Sequence, residues 1–454
     1  MARKIAMIGG GGVRTPLLIY GLAQSQRLLD VAELALFDID LDRTEILANI
    51  GREIVRNLGA DLRIATYAKI EDAVSGAEFI LNSIRVGGIS ARARDERIAI
   101  EHGLAGQETT GPGGVAMALR TIPVTLHHAR AVERISPDAW FINFTNPAGL
   151  ITQALSRHTG LRVIGICDTP AELFHQISTA LGSPYEEMEF DYAGLNHLGW
   201  VRRIRVRGED VTQRLLDDEV ALRRLYPAPL FDPALIRTLG LIPAEYLFFY
   251  YSQRRAHENQ LRAGASRGEE LEKMNTELFG RLRQQEPARA LATYRQYLLQ
   301  RNASYMKLEA EAGSAFSAAQ EEYDPFETVT GYHRIALEVI TALLSVEPKT
   351  VVVNVPNRGA IEDLEDDDIV EVPCRIDRCG PVPQRTGALP ESVRGLVLAV
   401  KAYERTAIRA AVEKSGRLAE LAMLEYPIIG QWELACSLKN ALTQSDPEGL
   451  GYLA

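Results

Sequence analysis

Three times in the first 170 residues, an apolar run ends in a polar residue followed at once by proline: Thr15-Pro16, Asn146-Pro147 and Thr169-Pro170. A polar side chain of this kind caps a helix, and proline suits the first turn, where its missing N–H needs no partner. Thr169-Pro170-Ala171-Glu172 also has the spacing of a capping box. Each junction therefore places a helix N-terminus at the carboxyl end of a strand. Such N-termini carry partial positive charge and free N–H groups, and ligands of open α/β sheets bind along that edge. Gly9–Gly12, Asn143–Asn146 and Cys167–Asp168 are expected to face one crevice.

The alternation behind these junctions runs through the first half of the chain. Lys4–Ile8, Glu33–Phe37, Leu62–Thr66, Glu78–Leu81, Trp140–Phe144 and Val163–Ile166 read as buried strands, with amphipathic helical stretches between most of them. This is the pattern of a parallel, doubly wound sheet. After residue 195 the alternation stops. Trp200–Val206, Thr350–Asn354 and Ile369–Pro373 read as strands, and Gly268–Glu286, Gly331–Leu344 and the long segment Arg394–Leu424 as helices. The expected division is a Rossmann-like α/β domain over residues 1–195 and a mixed α+β domain over residues 196–454. The acidic run Glu362–Asp368 reads as a solvated turn.

With 454 residues, 46% of them hydrophobic, the chain can bury a large core and is not disordered. A net charge of -10 argues against general nucleic-acid binding. No apolar run is long enough to span a membrane, and the first residues lead into a strand with no signal-peptide core. Four unevenly spaced cysteines do not make a disulfide framework and fit a reducing compartment. A soluble, cytoplasmic chain with neither a nucleic-acid nor a membrane partner is expected.

Gly9-Gly10-Gly11-Gly12-Val13-Arg14-Thr15 follows a strand and opens a helix, as a dinucleotide loop does, although Arg14 stands where the fingerprint has its third glycine. Asp38 ends the second strand, where a carboxylate can take the ribose hydroxyls of NAD and repel the extra phosphate of NADP. Asp40 could substitute for it, and Asp38 could instead cap the next helix. Asn82 and Asn143 close later strands on the same edge and are assigned to the same cofactor.

Ile164-Gly165-Ile166-Cys167-Asp168 ends a buried strand in a thiol and a carboxylate, and Gly194-Leu195-Asn196-His197 adds an imidazole. One Cys and one His are too few to close a structural zinc site, but they suit an open site that substrate oxygens complete. Each could alone be structural: a buried small thiol, a satisfied histidine. A chain with an open metal site and a dinucleotide site is expected to oxidise a carbon bearing a hydroxyl. Cys374, Cys379 and Cys436 are left as structural. The loop Gln107–Gly114 could cradle a sugar or nicotinamide, or act as a rigid hinge.

Six motifs occur in order: Gly9–Gly12 with Thr15-Pro16, Gly106-Gln107-Glu108-Thr109-Thr110-Gly111, Asn143-Phe144-Thr145-Asn146-Pro147, Cys167-Asp168-Thr169-Pro170, Gly194-Leu195-Asn196-His197, and Val353-Asn354-Val355-Pro356-Asn357-Arg358-Gly359. This series, covering nearly the whole chain, resembles glycoside hydrolase family 4 and, within it, the 6-phospho-glucosidases. The resemblance implies a fold like that of lactate and malate dehydrogenases. It also implies NAD and a divalent metal, usually manganese, as cofactors, and a homodimer or homotetramer. The implied reaction oxidises the sugar at C3, removes the acidified C2 proton and eliminates the aglycone, outside the two-carboxylate scheme of other glycosidases.

Carried over by position, Cys167 and His197 match the metal ligands. The base is Tyr246, in Pro243-Ala244-Glu245-Tyr246-Leu247-Phe248-Phe249-Tyr250-Tyr251, where the residues alone also fit an aromatic packing stripe. Arg92, Asn146 and Arg267 match positions that hold the sugar or its phosphate. Asp168 stands where the β-glucosidase branch has Asn and the α branch Asp, and is assigned to catalysis and substrate binding. Phe248 replaces the usual Arg after Tyr-Leu. The expected activity is a 6-phospho-β-glucosidase. The alternatives are 6-phospho-α-glucosidase or dual-anomer activity, a 2-hydroxy-acid dehydrogenase, and an NAD-binding sensor.

Overall fold

In β1 (Arg3–Ile8), residues Ile5, Ala6, Met7 and Ile8 are each at most 1% exposed, so both faces of the strand are covered. Burying a side chain of this size contributes about 1.5–3 kcal/mol, which is why an unbroken apolar run settles at the centre of a layered sheet. The computed structural model describes residues 2–226, 229–305, 324–328 and 330–454. The strands that follow are β2 (Val31–Phe37), β3 (Arg63–Tyr67), β4 (Phe79–Asn82), β5 (Trp140–Asn143) and β6 (Arg162–Gly165). With β1 they lie parallel in the order β3-β2-β1-β4-β5-β6. That is the order of a dinucleotide-binding sheet, and its switch point between β1 and β4 opens the crevice.

The second half extends the same sheet. Its strands are β7 (Met188–Leu195), β8 (Leu198–Val206), β9 (Glu209–Asp210), β10 (Ile242–Pro243), β11 (Lys349–Pro356), β12 (Ile369–Asp377) and β13 (Gly380–Pro383). β11 joins the edge of β6 antiparallel, and β12, β7, β8 and β10 follow in that order. Residues 195 and 196 lie at the tip of the β7–β8 hairpin, within this continuous sheet. Helices Arg267–Leu282 and Pro287–Ala303 share an apolar cluster, including Leu278, Phe279 and Tyr294, with Leu47 and Ile50 of helix Leu41–Leu58. Among the described residues no helix is long and apolar enough to cross a membrane. All four cysteines are free.

The strand–proline junctions fall where expected, but their polar residues do not cap. Helices begin at Thr15 and Thr169 themselves, so each proline is the second helical residue and each threonine lies one position too far in. Thr15 Oγ1 instead donates back to Gly10 O at 2.9 Å. Asp168 occupies the cap position without a side-chain cap bond, so Thr169 and Glu172 form no capping box. Asn146-Pro147 is cis, and its helix starts at Ala148. Among the described residues a capping box does form between Ser266 and Glu269.

Two further expectations are corrected. Arg394–Leu424 is two helices, Glu391–Glu413 and Gly416–Glu425, broken by left-handed Lys414 and restarted by Ser415, whose hydroxyl caps Leu418 N. The acidic run is not all solvated: Asp368 is fully buried and ion-paired with Arg405, and Asp363 accepts from Leu389 N.

Candidate active site

The glycine loop is shaped by what its missing side chains would strike. A Cβ on Gly9 (φ 101°) would lie 2.2 Å from Ser83 O beyond β4, and one on Gly10 would lie 2.9 Å from Leu36 Cβ on β2. The loop therefore sits as a backbone cradle against both neighbours of β1, with no room for a side chain at Gly9 or Gly10. Gly11 N donates to Asp38 Oδ2 at 2.9 Å, tying the loop to the carboxylate. Gly12 N closes the turn on Gly9 O at 3.1 Å. Asp40, the alternative, is occupied in capping helix Leu41–Leu58 through Arg43 N. The cradle and adjoining carboxylate fit NAD.

Asn82 and Asn143 are fully buried. Asn82 Nδ2 donates to Asn143 Oδ1 at 2.9 Å and to Thr145 Oγ1 at 3.0 Å, and Asn143 Nδ2 donates to Thr152 Oγ1 at 3.2 Å. Their side chains bond each other and clamp the ends of β4 and β5 together.

Cys167 and His197 meet across the antiparallel half of the edge, with Sγ and Nε2 3.5 Å apart. Two donors about 2.3 and 2.1 Å from one cation, at a tetrahedral angle, would be about 3.6 Å apart. The imidazole tautomer follows from its neighbours. Gln107 Oε1 accepts from Thr109 N at 2.5 Å and Thr110 N at 2.8 Å, so that atom is the amide oxygen. The Thr109 hydroxyl must then donate to it, at 2.9 Å, and accept from His197 Nδ1–H at 3.0 Å. Nε2 is left as a lone pair aimed at the thiol, the arrangement of a metal-ligating histidine. Burial lowers the His197 pKa to about 4, keeping the ring neutral. Burial pushes the Cys167 thiol well up, with Glu371 and Asp168 adding to the shift, so the thiolate calls for a bound cation. Among the described residues no group of three or more His, Cys, Asp or Glu side chains could hold a metal. The donor set fits a first-row metal with positions open to a substrate.

Tyr246 stacks on the His197 ring, with centroids 3.7 Å apart and planes 5° from parallel. Burial pushes its phenol well above the usual value, and Glu245 and Glu108 add to the shift. Beside it, Glu108 is gripped by Arg85 and by Arg92 Nη1, the latter at 2.8 Å. Burial alone would raise the Glu108 pKa, but the two guanidinium groups hold it far below the carboxylate range. Arg92, 8% exposed, also bonds Glu96 through Nε at 2.7 Å. Arg14 reaches past the glycine loop, its guanidinium 5.7 Å from the Tyr332 ring centre. Burial would lower the Arg14 pKa, but the charges of Asp168 and Glu108 raise it. Burial and then Asp168 push Glu172 up to about 7.

A sequence model of family 4 glycosyl hydrolases matches residues 4–183, and a model of the family's C-terminal domain matches residues 192–429. The chain belongs to glycosyl hydrolase family 4. The 6-phospho-beta-glucosidase of Escherichia coli strain K12 is 30% identical over 441 residues, 94% of this chain and 91% of the relative. The 6-phospho-beta glucosidase structure from Thermotoga maritima with manganese, NAD+ and glucose-6-phosphate superposes with a TM-score of 0.82 at 28% identity, covering 98% of each chain. A 6-phospho-alpha-glucosidase from gut microorganisms, in complex with NAD and glucose-6-phosphate, gives 0.81 at 27% identity, covering 100% of this chain and 99% of the other. In fold alone, a lactate dehydrogenase from Eimeria maxima gives 0.53 at 12% identity, over 91% of this chain and 96% of that one.

Within this family 4 chain, the other residues singled out from sequence fall as follows. Asp168 and Asn146 accept or donate no side-chain hydrogen bond among the described residues. Arg267 is engaged by Glu270, Ser304 Oγ (2.7 Å) and Arg301 O (3.0 Å) at the start of its helix. Phe248 is fully buried, with the Arg255 guanidinium 4.8 Å from its ring centre, so a cation does stand near that position. Glu108, Arg85 and Glu172 were given no role at the site from sequence. Glu108 lies inside a recognised motif, and only its arginine partners, distant in sequence, reveal it.

Proposed function

We propose that the chain is an NAD- and manganese-dependent glycosidase that cleaves 6-phospho-β-glucosides by oxidation, deprotonation and elimination. The observation that carries this reading is the pairing of Cys167 and His197, with Tyr246 stacked on the imidazole, on the sheet edge that also holds the glycine cradle. When bound, NAD would take up and return a hydride at C3, and a divalent metal held by Cys167 and His197 would polarise the resulting carbonyl as a Lewis acid.

The chain's own residues supply position and proton transfer. Tyr246 takes the C2 proton. Its raised pKa is brought down by the positive charge that Cys167 and His197 hold, since a cation favours the phenolate. Arg92 and Asn146 hold the sugar, Arg267 answers the phosphate, and Glu108 fixes the positions of Arg85 and Arg92. Gly9–Gly12, Arg14, Thr15 and Asp38 hold NAD, with Asn82 and Asn143 supporting them from beneath. Asp168 protonates the leaving oxygen.

Residues 1–195 carry the cofactor together with Arg92, Asn146 and Asp168, and residues 196–454 complete the substrate site, which forms where Cys167 of one part meets His197 and Tyr246 of the other. Four free thiols suit a reducing cytoplasm, and a homo-oligomer is the expected assembly.

A second reading, 6-phospho-α-glucosidase or dual-anomer activity, is favoured by Asp168, a carboxylate without a hydrogen-bonded partner among the described residues and close enough to Arg14 to perturb it. A panel of α- and β-linked nitrophenyl glucosides, with and without 6-phosphate, separates the two. Activity only on β-linked 6-phosphates, requiring NAD and manganese, is the expected result. Net accumulation of NADH would instead indicate a dehydrogenase.

A further inference from the structure

Glu371 is 1% exposed and lies on β12, outside every motif recognised in the sequence. Its Oε2 accepts from Tyr192 OH at 2.7 Å. Its Oε1 accepts from Asn196 Nδ2 at 3.0 Å and from Asn354 Nδ2 at 2.9 Å. Tyr192 and Asn196 stand on the hairpin that carries His197, and Asn354 stands on β11, the strand beside the one that leads to Cys167. Asn196 immediately precedes His197, in the two-residue turn between β7 and β8. Asn354 is in register with Gly165, two residues before Cys167, and packs so closely that a Cβ on Gly165 would lie 2.8 Å from Asn354 Cβ. Tyr192 reaches the carboxylate across Gly199, where a Cβ would lie 2.1 Å from its hydroxyl.

His197 needs such support. Its φ is 60°, a left-handed conformation that costs a residue other than glycine on the order of 1 kcal/mol and persists only where surroundings fix it. Asn196 is half-buried, and its amide bond to Glu371 ties that turn to β12. Through Asn354 the same carboxylate grips the end of the strand pair leading to Cys167.

We propose that Glu371 is a positioning residue that sets the Cys167–His197 separation by clamping Asn196 and Asn354. The inference rests on the metal-dependent reading of the site. It acts through geometry: a carboxylate has enough lone pairs for three donors, and no other side chain among the described residues bonds both Asn196 and Asn354.

The test is manganese affinity measured without substrate, by calorimetry or by the electron paramagnetic resonance signal of free Mn2+, beside NAD affinity on the same samples. Glu371→Ala and Asn196→Ala should weaken manganese at least ~10-fold, as loss of an outer partner of a ligand does. NAD affinity should hold, because the glycine loop lies on the far side of β6 and β5. Glu371→Gln keeps one oxygen for both asparagine amides and should stay within about threefold of the parent. If Glu371→Ala does not fold, Asn196→Ala, on the half-buried turn, decides the matter. Wild-type manganese affinity in Asn196→Ala, or a loss in Glu371→Gln as large as that in Glu371→Ala, overturns the proposal. Failure of the parent protein to bind manganese would instead overturn the metal-dependent reading.

Discussion

Thr109→Val removes one hydroxyl and keeps the shape of the side chain. In the parent, Thr109 Oγ1 stands between His197 Nδ1 (3.0 Å) and Gln107 Oε1 (2.9 Å), and the residue is 8% exposed. Gln107 is not stranded by the change, because Thr109 N and Thr110 N still donate to its oxygen. The cost falls on His197, whose buried Nδ1–H loses its acceptor, worth about 1–3 kcal/mol. The ring can escape that cost only by moving its proton to Nε2, which closes the lone pair facing Cys167. That shift is open to the free protein but must be reversed when the metal binds, so manganese affinity should fall about 10–100-fold, or ~1.4–2.8 kcal/mol. Calorimetric titration with manganese and, separately, with NAD reads the two effects apart. NAD affinity should not change, and Thr109→Ser, which restores the hydroxyl, should bind manganese nearly as the parent does. Parent-like manganese binding by Thr109→Val would refute the hydrogen-bond chain as the element that fixes the tautomer.

Three other outcomes are expected. Asp38→Asn keeps an oxygen for Gly11 N but removes the charge, so the preference for NAD over NADP should relax by about 1–4 kcal/mol; equal binding of both cofactors by the parent would contradict this. Tyr246→Phe preserves the ring stack on His197 while removing the base, so turnover should drop roughly 100-fold or more with NAD affinity intact. Burial lowers the pKa of His128 and of His333 to about 4 in the folded state. Between that value and the unfolded value of about 6.5 the unfolded chain binds more protons, so stability should fall as pH drops through this window. A double variant, His128→Asn with His333→Asn, should show a shallower acid limb in denaturant unfolding, and an unchanged limb would rule these two groups out.

The parallel half of the sheet was legible because strands buried on both faces read as unbroken apolar runs; each observed strand lies within a residue or two of its expected span. What misled was the finer chemistry of the helix starts. Proline is tolerated at the second helical residue as well as the first, so Thr15 and Thr169 moved inside their helices and lost the capping position. The break in Arg394–Leu424 did carry a signal, since Lys414-Ser415-Gly416 joins a left-handed residue to a capping serine, but hydrophobic periodicity runs on across it. At the site, the glycines, Cys167 and His197 stood out because each sits at a polar break on one sheet edge. Glu108 and Glu371 did not, because their meaning lies in partners brought from afar. Thr109 and His197 are 88 residues apart, and Tyr192 and Glu371 are 179. No spacing rule along the chain joins such pairs; only the register of the sheet does.

The elimination route is tested most directly by the hydrogen at C2. Turnover of a 6-phospho-β-glucoside in heavy water, with NAD and manganese present, should give glucose 6-phosphate carrying deuterium at C2, and a substrate deuterated at C2 should react more slowly. A glycosidase that passes through an oxocarbenium ion leaves the C2–H bond intact. Product released at full rate with no deuterium at C2 would contradict deprotonation by Tyr246 and the mechanism built on it.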